Sequence, residues 1–238
     1  MIEIILHGCH GKMGQAVAVA AENMPDVNIV YGVDRNLNGN NPFPVYYPLK
    51  EGPVKGDVIV DFSSHDAIPF VLDFAISRNL PLVLASTGLT EEEQNQIRQA
   101  SNQIPVFQAP NFSIGINLLA ACIELILPVL EENFDVEIID KHHREKKDAP
   151  SGTALQLAGV AKECSSAGQQ IGITSLRAGT IPGEHTVIFA GPDEVIELKH
   201  TAMSRDVFAQ GALKAAIFLV DKPPGKYDMK DLIHGLSN

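Results

Sequence analysis

What this sequence has little of is positive charge. Lysine and arginine together number 18 against 29 aspartates and glutamates, a formal charge of −11. A chain with that balance has no general basic face, which argues against nucleic acid or an anionic membrane surface as its partner. Cysteine is scarce as well. Cys9, Cys122 and Cys164 lie far apart and match no disulfide or metal-ligand spacing. They read as small apolar residues of a reducing compartment. No apolar run reaches the length needed to span a bilayer. The start of the chain has no charged stretch followed by an apolar signal core. Internal repeats and low-complexity tracts are absent too. The expectation is a soluble, cytoplasmic protein.

What is present suffices for a core: 45% of the 238 residues are hydrophobic, enough for one large domain or two small ones. Residues 2–6, Ile-Glu-Ile-Ile-Leu, form a strand apolar enough to be buried on both faces. The turn His7-Gly8-Cys9-His10-Gly11-Lys12-Met13-Gly14 follows, then a helix over 15–21 and a strand over 28–33 that ends at Asp34. Strand, glycine turn, helix, strand and acid make up a Rossmann unit. Its glycines let the backbone approach a pyrophosphate, and its helix N-terminus offers free N–H groups. Asp34 falls 20 residues after Gly14, where an acid accepts hydrogen bonds from a ribose diol. The spacing is Gly-x-x-Gly-x-x-Gly rather than the commoner Gly-x-Gly-x-x-Gly, so a glycine turn in some other α/β fold stays open at this point. Asp34 favours NADH. Arg35 beside it suits a 2′-phosphate, so use of both nicotinamides is open.

Residues 36–56, rich in Asn, Pro and Gly, read as a loop. Further buried strands are expected over 58–62, 81–85 and 106–107. Helices follow over 67–78, with Ser63 to Asp66 as cap, and from Thr90, whose spacing to Glu93 is that of a capping box. Strands alternating with helices predict a doubly wound parallel sheet, with cofactor bound at the carboxyl ends of the strands. That edge carries Gly8 to Met13, Asp34, Phe62, Ala85-Ser86-Thr87-Gly88 and Ala109-Pro110-Asn111-Phe112. For each turn taken singly, ordinary turn chemistry is the competing reading.

The second half changes character. A helix over 114–132 contains Pro128, which must kink or shorten it. Residues 134–140 alternate polar and apolar, as a one-faced strand does. A helix over 153–165 with Ser151 or Thr153 as N-cap follows, then strands near 173–178, 185–190 and 194–200, a helix over 208–220 and a short helix over 227–233. The switch from buried to alternating strands predicts two domains with a boundary near 110–115. The second should be a smaller α+β domain with a mixed, open sheet.

The second half also holds the densest chemistry. Lys141-His142-His143-Arg144-Glu145-Lys146-Lys147-Asp148-Ala149-Pro150-Ser151-Gly152-Thr153 concentrates positive charge in an acidic chain and ends in hydroxyls and backbone N–H groups at a helix start. It suits a dicarboxylate or similar anion beside a nicotinamide. Reduction of a C=N or conjugated C=C bond needs a hydride on one atom and a proton on its neighbour, and a histidine or nearby lysine can donate that proton. The competing reading is a solvated basic loop whose histidines cap a strand end. A metal is not expected, because adjacent histidines point to opposite sides of an extended strand.

The run His142-His143-Arg144 through Lys146 to Asp148-Ala149-Pro150-Ser151-Gly152-Thr153-Ala154 resembles the signature of the 4-hydroxy-tetrahydrodipicolinate (dihydrodipicolinate) reductase family. The likeness extends through Gly8 to Gly14, Ser86-Thr87-Gly88, Ala109 to Ser113, Gly183-Glu184-His185, His200, Ser204-Arg205, Phe208 to Ala212 and Asp228-Met229, covering nearly the whole chain. It implies NADH- or NADPH-dependent reduction to tetrahydrodipicolinate with loss of water, in the diaminopimelate route of lysine biosynthesis. It implies a Rossmann domain over 1–112, with the tail 219–238 packed back on it, and a substrate-binding and tetramerisation domain over 113–218 in a homotetramer.

Carried over by motif, His142 is the proton donor/acceptor and Lys146 the second donor. His143, Ser151, Gly152 and Thr153 hold the substrate carboxylates. Gly8, Cys9, His10, Gly11, Lys12, Met13, Asp34, Arg35, Phe62, Ala85, Ser86, Thr87, Ala109, Pro110, Asn111 and Phe112 line the cofactor. Two departures stand out: Ala85-Ser86-Thr87-Gly88 replaces the family's frequent Gly-Thr-Thr-Gly, and Asp61-Phe62-Ser63-Ser64 lacks the arginine some members place there. With no cation at that point the balance leans to NADH, and Arg35 keeps NADPH open. Two other readings are a different NAD(P) enzyme, such as an amino-acid or semialdehyde dehydrogenase, and a non-catalytic nucleotide sensor. The first lacks a nucleophilic cysteine at a fitting position, and the second gives the His-His-x-x-x-Lys stretch no purpose.

Overall fold

The computed structural model describes residues 1–53, 55–166, 168 and 170–236. Residue 54 of the expected loop and the last two residues of the tail lie outside the described residues. In chain order the elements are β1 (Ile2–His7), α1 (Lys12–Glu22), β2 (Val27–Val33), β3 (Val45–Tyr46), β4 (Val58–Asp61), α2 (Ile68–Arg78), β5 (Leu82–Leu84), α3 (Glu91–Ala100) and β6 (Pro105–Gln108). Then come α4 (Ile114–Leu130), β7 (Asp135–His142), α5 (Gly152–Cys164), β8 (Ile171–Arg177), β9 (Glu184–Ala190), β10 (Val195–Thr201), α6 (Asp206–Leu219), β11 (Gly225–Tyr227) and α7 (Met229–Leu236). The chain divides into two compact units, Met1–Ser113 with Arg205–Asn238, and Ile114–Ser204.

The first unit is a seven-stranded sheet in the order β11-β6-β5-β4-β1-β2-β3, parallel throughout. Helices cover both faces of such a sheet, so its strands are apolar on both sides. Ile4, Leu6, Val58, Ile59, Val60, Leu82 and Leu84 are fully buried. Ile68, Val71 and Leu72 of α2 and Ile97 of α3 share one core cluster with Ile5, Ile59 and Leu82. Helix α6 packs on α1 and on β4 and β5. Strand β1 lies between β2 and β4, so the strand order reverses there and a crevice opens at the carboxyl ends. The capping box of α3 is formed: Thr90 Oγ1 accepts from the Glu93 N–H at 3.2 Å, and Glu93 Oε2 accepts from the Thr90 N–H at 2.6 Å.

Several elements differ from the sequence expectation. Residues 36–56 contain β3, which pairs with the end of β2, and a single 3₁₀ turn at Leu49–Glu51. The tail adds β11 beside β6 before its helix begins. Ser63 to Asp66 do not cap α2: residues His65–Ala67 form a 3₁₀ turn, and the helix starts without a side-chain cap. Pro128 sits near the end of α4, which continues to Leu130. The chain returns to the first unit at Arg205, earlier than residue 219, so α6 belongs to the first unit. The reason is its small-residue surface. Ala209, Ala212, Ala215 and Ala216 are fully buried, and Gly211 lies against the carbonyl oxygen of Phe112, where a side chain would overlap it.

The second unit is a four-stranded sheet in the order β10-β9-β7-β8. The β7–β8 pair is parallel, while β7–β9 and β9–β10 are antiparallel. Helices α4 and α5 cover one face, burying Ile123, Leu127, Leu157 and Ala161 against Val136, Ile138, Val187 and Phe189. The other face exposes Thr174, Leu176, Val195 and Glu197. Strand β7 runs two residues past its expected end, because β8 pairs as far as Arg177 with His142 and the Ala178 N–H donates to the His142 carbonyl at 2.9 Å. His142 is thereby fixed on the sheet instead of in a loop.

Replacing Gly211 by alanine should push α6 off Phe112 and cost about 1–3 kcal/mol. The check is a lowered urea midpoint with an unchanged m-value.

Candidate active site

The register of the second sheet places Ser175, Asp140, His185 and His200 in one row across β8, β7, β9 and β10. Side chains alternate along a strand, so His142 and Arg177, two residues further on, share that face. Asp140 is fully buried, and five groups surround its carboxylate. On Oδ2 it accepts from Arg177 Nη2 at 2.7 Å, from the Ser151 backbone N–H at 3.0 Å and from Ser175 Oγ at 3.1 Å. On Oδ1 it meets His142 Nδ1 at 2.9 Å and His185 Nε2 at 3.2 Å, ion-pair distances without a linear N–H···O alignment. The His142 and His185 rings stand edge to face with centroids 5.2 Å apart. Gly183 lies beside the other edge of His142: a Cβ there would come within 3.2 Å of Nε2.

The loop after β7 is held by the same groups. Arg177 Nη2 also donates to the Asp148 carbonyl at 2.7 Å, and the Lys146 N–H donates to the His143 carbonyl at 3.2 Å. Lys146 Nζ reaches Asp148 Oδ1 at 2.9 Å. Ser151 caps α5, its Oγ accepting from the Ala154 N–H at 3.2 Å and lying 3.0 Å from His185 Nε2. Gly152 is exposed with open space around it, and Thr153 is half-buried on the first helical turn. The helix start therefore presents its N–H groups and dipole to any anion placed there. His143 is half-buried next in the chain, while Arg144 and Lys147 are exposed. On the opposite face, Lys141 and Lys199 both pair with Glu184 at 2.6 Å.

The charges sort out accordingly. Burial pushes the Asp140 carboxyl up, but Arg177 and the Ser151 N–H and hydroxyl outweigh it and hold it well below the usual carboxylate range. Burial pushes His142 down, as do Lys146 and Arg177, and Asp140 only partly offsets them. His185 is pushed down to about 4, chiefly by burial, and stays neutral near pH 7. Burial also lowers His200.

In the first unit a cavity of about 890 Å³ opens at the carboxyl ends of the strands, with Gly8, Gly11, Asp34, Arg35 and Phe62 in its wall. A Cβ on Gly8, whose φ is +76°, would stand 2.7 Å from the Phe62 carbonyl oxygen. The Asp34 carboxylate accepts from the His10 N–H at 3.1 Å and the Asn36 N–H at 3.0 Å. The bare turn, the helix behind it and the acid at the end of β2 fit a dinucleotide. Lys12 and Met13 begin α1.

Other candidates turn away from this wall. The Cys9 side chain is fully buried, where a Cβ on Gly32 would come within 2.6 Å of its sulfur. Its thiol is pushed up to about 11 by burial and by Asp34. The His10 ring meets Asn41 Nδ2 at 2.6 Å. Ser86 is buried and donates to Asp61 Oδ2 at 2.9 Å. Phe112 packs against Phe62 and Phe107, and Asn111 accepts from the Ser113 N–H at 2.9 Å. Ala85, Thr87, Ala109 and Pro110 follow the ends of β5 and β6.

Sequence reasoning passed over three features. His7, at the strand-order reversal, pairs with fully buried Asp61 at 2.8 Å and lines the cavity. Tyr47 to Lys50, from the supposed loop, form another wall. Asp140, Arg177 and His185 converge from three strands. A signal existed for Asp140, a charged residue at an inward position of an alternating strand, and for His185, which stands in the Gly183-Glu184-His185 motif, but none for Arg177.

Among the described residues, two groups bring possible metal ligands within 4.8 Å of one another: Cys9, His10 and Asp34, and Asp140, His142 and His185. Chemistry disfavours both. The Cys9 thiol resists ionisation, and a cation at Asp140 would stand beside the Arg177 guanidinium.

The family models for dihydrodipicolinate reductase match residues 2–112 (N-terminus) and 115–233 (C-terminus). The 4-hydroxy-tetrahydrodipicolinate reductase of Caldanaerobacter subterraneus is 47% identical over 98% of both chains, and that of Clostridium perfringens 43% over 98% of both. Among solved structures, dipicolinate-bound dihydrodipicolinate reductase from Paenisporosarcina sp. TG-14 has a TM-score of 0.85 at 25% identity, covering 96% of this chain and 97% of that one. A myo-inositol dehydrogenase from Corynebacterium glutamicum, with a TM-score of 0.66 at 16% identity, shares the fold.

Removing the guanidinium in Arg177→Met should cost about 3–5 kcal/mol at pH 7, because it leaves the buried Asp140 charge undercompensated. In the parent, Asp140 binds protons more readily unfolded than folded. Its stabilising effect is present above the unfolded value near 3.9 and is lost as pH falls towards the folded value. The variant's folded value moves up, so its stability should fall less steeply between about pH 4 and pH 2. Urea titrations at several pH values measure both effects.

Proposed function

Because the chain belongs to the dihydrodipicolinate reductase family, we propose that His142, Lys146 and the Ser151-Gly152-Thr153 helix start are where it holds and protonates its substrate. The activity is NAD(P)H-dependent reduction of 4-hydroxy-tetrahydrodipicolinate to tetrahydrodipicolinate with loss of water, in the diaminopimelate route to lysine. One observation carries the site reading: a single buried carboxylate, Asp140, touches both the His142 ring and the Ser151 N–H. Proton donor and anion grip are thus built on one anchor. The substrate class is a flat ring with two carboxylates, a choice supported by the dipicolinate held by the Paenisporosarcina reductase.

When bound, the nicotinamide supplies the hydride. His142 supplies a proton from Nε2 to the neighbouring ring carbon, and Lys146 serves as the second donor. The N–H groups and hydroxyls of Ser151, Gly152 and Thr153 hold one carboxylate, and His143 holds the other. In the first unit Gly8 to Met13 follow the pyrophosphate, and Asp34 takes the adenosine ribose. Phe62, Ala85 to Thr87 and Ala109 to Phe112 complete the strand-end edge. NADH is the preferred cofactor, because Asp34 suits a free diol and Ser63-Ser64 bring no cation. Arg35 in the cavity wall admits NADPH. The exposed face of the second sheet is the surface we assign to homotetramer assembly. The three cysteines, Cys9, Cys122 and Cys164, held as thiols, fit the cytoplasm.

His142→Gln should lower kcat/KM by about 10²–10⁴-fold while nicotinamide affinity stays, and Lys146→Ala should also lower turnover. Parent-level turnover by His142→Gln sinks the assignment. Since His142 titrates below the ordinary value, the parent's kcat/KM should decline with rising pH from below about 6.5, where its protonated form is lost. Pyridine-2,6-dicarboxylate should compete with substrate. Arg35→Ala should raise KM for NADPH about tenfold and leave that for NADH nearly unchanged; steady-state kinetics with each cofactor decide it. Light scattering that found only monomers would remove the tetramer.

A further inference from the structure

We infer that Asp140 is a positioning residue for this reaction: it fixes which nitrogen of His142 carries the transferable proton. The inference rests on the reading of His142 as proton donor and goes beyond it. The two oxygens of Asp140 have different neighbours. Oδ2 receives two obligate donors, the Arg177 guanidinium and the Ser151 N–H, and the Ser175 hydroxyl besides. Oδ1 is left facing His142 Nδ1 and His185 Nε2. A carboxylate oxygen only accepts, so it draws a proton onto Nδ1 of His142. In the neutral ring the proton is then on Nδ1, and Nε2, on the Gly183 side, is the atom that takes up and gives out the second proton. Giving that proton to a substrate carbon leaves a neutral Nδ1–H imidazole still paired with Asp140, ready to be recharged from solvent.

The charged and titratable groups that face His142 are Asp140 on its own strand, Arg177 on β8, His185 on β9 with His200 behind it on β10, and Lys146 in the following loop. Of these, only Asp140 favours the protonated ring. Its role therefore has a second readout, the pH at which the ring loses its proton.

The substitution Asp140→Asn makes a sharp test. Two groups that can only donate, the Arg177 guanidinium and the Ser151 N–H, converge on the Oδ2 side, so the amide oxygen must go there and the NH₂ must face the histidines. That group donates to Nδ1 of His142 and moves the ring proton to Nε2. Long-range ¹H–¹⁵N spectra of the parent, with His142 assigned by its loss in His142→Gln, should show a neutral ring protonated on Nδ1. In Asp140→Asn the neutral ring should be protonated on Nε2, the alkaline decline of kcat/KM should move to lower pH, and kcat should fall about 10²–10⁴-fold. Asp140→Glu should restore the tautomer and part of the rate. A parent ring protonated on Nε2 overturns the inference, as does an Asp140→Asn profile reduced at every pH without a shift. If Asp140→Asn does not fold, the parent tautomer decides alone. Parent-level activity in His142→Gln would instead defeat the proton-donor reading, leaving the tautomer result to stand or fall separately.

Discussion

A carboxylate removed from water must find its hydrogen bonds inside the protein, and the second unit is arranged around that demand. Asp140 draws partners from three strands and from the start of a helix. Each of those partners holds something else in turn. Arg177 reaches across to the Asp148 carbonyl and closes the loop that carries Lys146, while Ser151 opens the helix that carries Gly152 and Thr153. Such burial is costly unless every lone pair is met. One residue thus ties three strands to the loop and to the helix start.

The first unit uses the same device on a smaller scale. Asp61, fully buried at the end of β4, receives the Ser63 hydroxyl at 2.6 Å and the Ser86 hydroxyl at 2.9 Å, with His7 at 2.8 Å. It ties together the carboxyl ends of β1, β4 and β5, where the strand order reverses. In both units a buried aspartate near the carboxyl end of a strand does the fixing.

The sequence displayed what is local or periodic. Apolar runs marked the parallel strands, alternation marked β7 to β10, and the Thr90–Glu93 spacing marked a capping box that the structure forms. It concealed what depends on distant partners. β3 and β11 are two and three residues long and exist because β2 and β6 offer them hydrogen bonds. Ser86 and Cys9 lie in the expected turns, yet their side chains point inward, towards Asp61 and Gly32. Motif spacing cannot tell which way a turn residue faces. His142 and His143 stood out as a pair, but the carboxylate between His142 and Arg177 became visible only once the register of β7 and β8 was known.

The first unit is interrupted in the chain by the second, with α6, β11 and α7 arriving after residue 204. A chain leaving the ribosome therefore completes the inserted unit while the earlier one still lacks the helix that covers β4 and β5. Until α6 emerges, the small-residue seam around Phe112 and that flank of the parallel sheet have no cover. The nascent first unit is open to aggregation along that flank until the segment from Arg205 onward has followed it out.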